Sequence, residues 1–222
     1  EQATKVCSLA LGKEGKTLDF IDINEDEYSH SEKLNLSIIE LLKKNNLTFD
    51  KLDSVAISSG PGSYTGLRIG TSSAKGFCYG KDLPLIAVNT LEALCHLALI
   101  ESGTKIPVID ARRMEVFGAV FSGDNQRIKK DFNLVIDENS FSEIEGEKYL
   151  FGNGAHKLKE ILTNNSSIHF IDNIVCSARG MLKVAEKKFN TKDFEDVAYF
   201  EPNYGKEFYT VPSKKKSVGS KK

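Results

Sequence analysis

Short β-favouring runs alternate with amphipathic stretches along most of this chain. Residues 6–11 (VCSLAL) and 18–23 (LDFIDI) read as two strands joined by a turn at 12–16 (GKEGK), which predicts an antiparallel hairpin. A helix follows to about residue 46, capped by Ser29 or Ser31, with Leu34, Ile38, Leu41 and Leu42 on one face and Leu36 and Ile39 widening it. So broad a stripe predicts burial on two sides, by a sheet and by a neighbouring helix. Val55, Ala56 and Ile57 form the next strand, and the run 58–75 (SSGPGSYTGLRIGTSSAK) then turns the chain into a second amphipathic helix capped by Ser63 or Thr65. Gly66, Gly70 and Ala74 recur every fourth residue and leave one ridge of that helix nearly bare. A strand at 83–88 and a helix at 90–99 complete the first half.

After Ser102-Gly103-Thr104 the pattern restarts. Strands are predicted at 106–110, 115–121 and 130–137, then a strand at 148–151, a helix at 155–162, a strand at 168–171 and a long helix at 177–189. Two halves that each open on a β-meander and continue in βα units predict an α/β chain of two subdomains, an actin-like (ribonuclease H-like) or sugar-kinase-like duplication, with mixed sheets flanked by helices and the second subdomain reduced. The expected boundaries are residues 1–103, 104–212 and a basic tail at 213–222. A strand pattern that begins so early also predicts an earlier strand ahead of Glu1.

Composition narrows the classes. The chain has 222 residues, 40% of them hydrophobic, enough for a sizeable core. No run approaches the roughly 20 apolar residues of a membrane-spanning helix. Cys7, Cys78, Cys95 and Cys176 stand far apart without a CxxC pair, which predicts reduced thiols and a cytoplasmic setting. Net charge is −1, yet the last nine residues carry five lysines and no acid, so the remainder stands at −6. An acidic body disfavours a stand-alone nucleic-acid binder, leaving the lysine tail as the one basic element for direct RNA contact.

Candidate chemistry is sparse. A glycine-rich turn entering a helix can present backbone amides to an anion, but Gly60, Gly62 and Gly66 miss the GxGxxG spacing and no P-loop lysine follows, so a phosphate loop and a plain tight turn both remain open. Ser59, Gly60 and Gly62 are the ligand-facing candidates there. Asp110, with Arg112 close behind, ends an apolar strand, where open α/β sheets gather ligands, and the alternative is a hairpin turn with solvated arginines. His30, His96, His156 and His169 have no metal-ligand spacing, and no nucleophile-elbow GxSxG occurs. No catalytic residue and no metal ligand is predicted.

Several stretches carry a family resemblance: 58–77 (SSGPGSYTGLRIGTSSAKGF), 1–11 (EQATKVCSLAL), 30–34 (HSEKL), 88–94 (VNTLEAL), 109–119 (IDARRMEVFGA) and 198–208 (AYFEPNYGKEF). Together they closely resemble the TsaB (YeaZ) family of bacterial tRNA-threonylcarbamoylation proteins, in the actin-like ATPase superfamily. The resemblance implies a non-catalytic, dimerising subunit. In such a system TsaD holds the metal and transfers a threonylcarbamoyl group to the adenosine next to the tRNA anticodon, while the TsaB-type subunit pairs with TsaD, helps recruit the ATPase TsaE, and pairs with itself when alone. It implies contact with tRNA only through the complex. No cofactor is expected on this chain alone, with ATP or ADP at the complex interface. The family pairs through its two long helices, which here implies a contact surface of Leu34, Ile38, Leu41 and Leu42 with Gly66, Arg68, Ile69, Gly70, Ser73 and Phe77. Gln2 departs from the family's usual threonine in the first phosphate loop. The alternative class is an independent actin-fold ATPase, small-molecule kinase or protease.

Overall fold

The computed structural model describes residues 1–24, 30–162 and 165–206, with backbone only at 30–33. The cap predicted at Ser29, the end of the 198–208 motif and the lysine tail lie outside these residues. Ser31 sits inside its helix rather than capping it.

Strands β1 (Val6–Lys13) and β2 (Lys16–Asn24) form the predicted hairpin, pairing Val6 with Asn24 through Leu11 with Asp19 and then, past a bulge between Leu11 and Gly12, Gly12 with Thr17 and Lys13 with Lys16. Its two-residue turn puts Glu14 at φ 52° and Gly15 at φ 70°, the doubly left-handed geometry that matches strand twist. Helix α1 (His30–Lys44) covers the odd-numbered face of the hairpin: Leu41 and Leu42 pack on Leu11, with Leu9, Ile21 and Ile38 around them. Strand β3 (Val55–Ser58) leads through the glycine turn into helix α2 (Tyr64–Lys81), and β4 (Leu85–Val88) returns parallel to β3. Asp82 ends α2 in the left-handed region at φ 52°, its N–H bonded to the Cys78 carbonyl. Helix α3 (Thr90–Leu97) is capped by Asn89, whose side chain accepts from the Glu92 N–H.

The second half is built on one five-stranded sheet of order β7-β6-β5-β8-β9, comprising β5 (Thr104–Asp110), β6 (Glu115–Ser122), β7 (Arg127–Val135), β8 (Lys148–Phe151) and β9 (Ile168–Ile171). Alternation along the strands separates its faces. Ile106, Val108, Val116 and Leu150 meet Ala155, Leu158 and Leu162 of helix α4 (Ala155–Leu162). Ile109, Phe117, Ala119, Phe121 and Phe151 on the other face meet Leu91, Leu94 and Cys95 of α3. What is reduced in this half is its helical cover, since α4 is only eight residues long.

One predicted element is rearranged. The helix expected at 177–189 is a 3₁₀ turn, Ala178–Met181, followed by α5 (Leu182–Asn190). Its apolar face returns to the first half: Ala178, Met181, Val184 and Ala185 pack with Ile86, Val88 and Ala93. A polar knot fixes that return. Ser8 Oγ donates to Asp22 Oδ1 at 2.5 Å, Ser177 Oγ donates to the same oxygen at 2.9 Å, and the Ala178 N–H donates to Ser8 Oγ at 2.7 Å. Arg179 adds a 3.0 Å ion pair with Asp22 and lies 4.2 Å from the Phe20 ring centroid.

The bare ridge of α2 is filled from within the chain. A Cβ on Gly66 would lie 2.0 Å from the Gln2 carbonyl oxygen, and one on Gly70 would lie 3.0 Å from Ile57 Cδ1. Ala74 is buried among Ile57, Cys78 and Leu85. Gly66→Ala is therefore expected to destabilise the fold by about 2 kcal/mol or more, because the obstacle is backbone. Gly76, further along the same helix with open space where its Cβ would stand, serves as the opposite control. Gly76→Ala should stabilise by roughly 0.5–1 kcal/mol, and urea denaturation of both variants checks the pair.

Lys105 is buried on the α3 side of the sheet, 2% exposed, donating from Nζ to the Ala98 carbonyl at 3.0 Å and to Asn125 Oδ1 at 2.8 Å. Both acceptors are neutral, and desolvation pulls its pKa below the ordinary lysine value. The unfolded chain consequently holds this proton to higher pH than the folded one, so this group's contribution to stability rises as pH climbs toward the unfolded value. Measured from pH 8 to pH 10, the stability difference between wild type and Lys105→Met should shift in favour of wild type. A constant difference would mean that the amine keeps its ordinary pKa.

Candidate functional site

The glycine turn is closed on both sides by the chain itself. Ser63 donates from its backbone N–H to the Ala3 carbonyl at 2.6 Å, and its Oγ accepts from the Gly66 N–H at 3.2 Å. Two of the amides at the start of α2, those of Ser63 and Gly66, are thus engaged within the chain. Gly60, at φ 93°, lies against the backbone of Asn203, where a Cβ would come within 1.9 Å of the carbonyl oxygen. Asn203 donates its N–H to the Ser59 carbonyl at 2.7 Å, and a Cβ on Gly62 would strike Ala3. Gly60 and Gly62 make room for neighbouring backbone, which is the plain-turn reading of this loop.

Ser59 lines a cleft of about 520 Å³ with Asn89, Glu92, Lys188, Glu195, Asp196, Tyr199, Glu201 and Asn203. Four carboxylates against one ammonium make this cleft repel phosphate groups.

Asp110 stands at the end of β5, as expected, but it is occupied. Its Oδ1 accepts from Lys157 Nζ at 2.5 Å and from the Arg112 N–H at 2.6 Å, while its own N–H donates to Asn153 Oδ1. Lys157 lies on α4, 47 residues away, and nothing in the local sequence marks it as this partner. Arg112 and Arg113 follow at φ 66° and 50°, two successive non-glycine residues in the left-handed region, with exposed side chains. The turn projects two guanidiniums outward instead of presenting a free carboxylate inward. Asp110 is not a free general base.

Among the described residues no group of three His, Cys, Asp or Glu side chains could hold a metal ion. Burial pushes the Cys78 thiol up to about 11 and the Cys95 thiol up to about 12, so neither is a ready thiolate. Burial also lowers the pKa of His96.

The two long helices present a different outer surface from the one implied by resemblance. Leu34, Leu41 and Leu42 are buried and Ile38 is half-buried under α1, and Gly66 and Gly70 are buried under α2. These positions serve the chain's own core. Phe77 stacks on Phe49 at 4.7 Å between ring centroids, and Ile69 and Ser73 are half-buried, so only part of that flank of α2 is open. Arg68 is exposed, its guanidinium bonded to Tyr64 Oη at 3.1 Å. The large apolar side chains that α1 turns to solvent are Leu36, 62% exposed, and Ile39, 53% exposed. With Lys43 they form an outward i, i+3, i+7 stripe. Sequence reasoning noticed Leu36 and Ile39 only as a widening of the apolar stripe; their near-opposition to Leu34 and Leu41 on a 100° helical wheel was the available signal.

Comparison with known proteins places this geometry. Residues 25–202 match the family model described as TsaD, tRNA N6-adenosine threonylcarbamoyltransferase. Among curated relatives, the tRNA threonylcarbamoyladenosine biosynthesis protein TsaB of Escherichia coli is 27% identical over 214 residues, covering 92% of this chain and 91% of that protein. The Haemophilus influenzae protein of the same name is 32% identical over 135 residues, covering 60% of this chain and little more than half, 55%, of its relative. The crystal structure of YeaZ from Pseudomonas aeruginosa superposes with a TM-score of 0.78 at 20% identity, over 91% of this chain and 96% of that one, which establishes the shared actin-like fold. The chain belongs to the family that this model describes, TsaD-type tRNA N6-adenosine threonylcarbamoyltransferases, and within it to the TsaB (YeaZ) branch.

Proposed function

We propose that this chain is a non-catalytic partner subunit in the formation of threonylcarbamoyladenosine in tRNA, pairing with a TsaD-type transferase that carries the metal and the chemistry. The observation that carries the reading is the exposed Leu36–Ile39 stripe on α1, on a chain that belongs to a transferase family. Two large side chains more than half in solvent on one helix, over a core already closed beneath them, are what a helix-on-helix interface uses. The occupied Asp110, the protonated thiols and the lack of a three-residue metal group among the described residues support assigning catalysis to the partner.

The same surface serves self-association when the transferase is absent, and TsaE joins the assembled pair. Nucleotide belongs at the subunit interface in this reading, because the chain's own cleft is acidic and its glycine turn is closed. The setting is the cytoplasm, where tRNA is modified. No helix among the described residues is long and apolar enough to cross a membrane.

Arginine at Gly70 would collide inside the chain, so the outward residues are the right probes. Leu36→Glu with Ile39→Glu should leave the melting temperature within a few degrees of wild type, since both positions are exposed. Co-elution with the TsaD-type transferase should fall at least tenfold in apparent affinity. Unchanged association with transferase, in a variant that is still folded, would overturn this surface.

A further inference from the structure

We propose that the exposed turn Arg112–Arg113, with the strap Tyr204–Lys206 and the first turn of α2, forms a basic and aromatic strip that contacts the phosphate backbone of RNA directly. The strip crosses both halves of the molecule. Tyr204 lies against Tyr64 at 4.5 Å between ring centroids, and Arg68 sits over the Tyr64 ring at 5.3 Å. Two residues on, Lys206 reaches the base of the arginine turn, donating to the Ala111 carbonyl at 3.1 Å and pairing with Glu115 at 2.7 Å. Between them Gly205 fits so closely against Pro61 and Phe117 that the strap is held in place.

The charge balance of this strip runs against the rest of the chain. The two carboxylates beside the arginine turn are already engaged, Asp110 by Lys157 at 2.5 Å and Glu115 by Lys206 and by Asn133 at 2.7 Å, while Glu201 stands near Tyr204 at the other end of the strip. Among the described residues neither Arg112 nor Arg113 has a carboxylate within ion-pair distance, and both side chains are exposed, with Arg113 acting on the Glu115 carboxylate only from beyond contact. Their left-handed backbone is an unusual conformation for arginine, and it holds the two side chains outward at the tip of the β5–β6 turn.

Guanidinium groups match phosphate oxygens bidentately, and tyrosine faces accept unpaired bases by stacking. Tyr64 keeps 37% of its surface in solvent beside Arg68. Arginine alone would equally suit an acidic protein; the Tyr64–Tyr204 pair with Arg68 at the far end of the strip favours RNA. The choice of tRNA as the RNA rests on the proposed function, whereas the strip itself rests on the geometry.

The test uses the full chain, lysine tail included, alone and with the TsaD-type transferase, and fluorescence anisotropy with an unmodified tRNA transcript at 50 and 200 mM salt. Asparagine tolerates the left-handed backbone, so Arg112→Asn with Arg113→Asn removes charge without straining the turn. Lys129→Gln with Lys130→Gln on β7 is the control for an equal charge change. The arginine variant should bind RNA at least tenfold more weakly at 50 mM salt, with a log–log salt slope shallower by about 2, while the control stays near wild type. Equal losses in both variants, or no loss in the arginine variant, would overturn the inference. Equally effective competition by polyglutamate would also overturn it, in favour of an acidic protein partner. Co-elution with the transferase reports separately: its failure with wild-type chain counts against the proposed function, and the anisotropy of the isolated chain still decides the strip.

Discussion

The first half depends on how closely backbone can approach backbone around the start of α2. The Gln2 carbonyl fills the space beside Gly66, Ala3 accepts from the Ser63 N–H, and Asn203 arrives from the far end of the chain to bond Ser59. Three segments separated by tens to hundreds of residues meet at one turn, where a methyl group at Gly66 would strike the Gln2 backbone and one at Gly60 the Asn203 backbone. The same contacts decide the chemistry. The Ser63 amide, bonded to the Ala3 carbonyl, is not available to an anion, and with the Gly66 N–H held by the Ser63 hydroxyl this turn is a structural joint.

Around that joint the molecule is stitched across its length. Helix α3 lies between the core of the first half and the α3-facing side of the five-stranded sheet, and α5 returns to seat on β4. The knot of Ser8, Asp22 and Ser177 fixes the return with hydrogen bonds to a carboxylate, stronger than bonds between neutral groups. Interior polarity is handled locally, as Lys105 shows by lodging its ammonium on the neutral oxygens of Ala98 and Asn125. Besides apolar side chains left in solvent elsewhere, among them Leu99, Ile128 and Val135, the chain offers a short apolar stripe on α1 and a charged strip over the β5–β6 turn. Those two surfaces carry the proposed contacts with protein and with RNA.

Much of the architecture is legible in the residues because local rules govern it. Short continuous apolar runs locate β5 and β6, the Ser63 cap locates the start of α2, and the glycine-bearing turn at 12–16 marks the hairpin. Strand β8, helix α4 and strand β9 begin and end where their patterns do. The split of the last helix into a 3₁₀ turn and α5 was not legible, since Ala178–Met181 is set by the hydrogen bond from Ala178 to Ser8, 170 residues away.

The candidate site divides along the same line. Sequence alone determined the elements, the sparse chemistry and the motifs of a transferase family, because spacing and residue type are local properties. Which side of each helix faces solvent was decided by tertiary structure. Gly66 and Gly70 form a bare ridge that suits a partner helix as well as it suits the chain's own Gln2 and Ile57, and only packing chose between them. Leu34 and Leu36 are equally apolar two residues apart, yet one is 4% and the other 62% exposed, because the hairpin lies beneath only one of them. Asp110 likewise reads as an open strand-end acid until Lys157 arrives from α4, a neighbour that folding alone supplies.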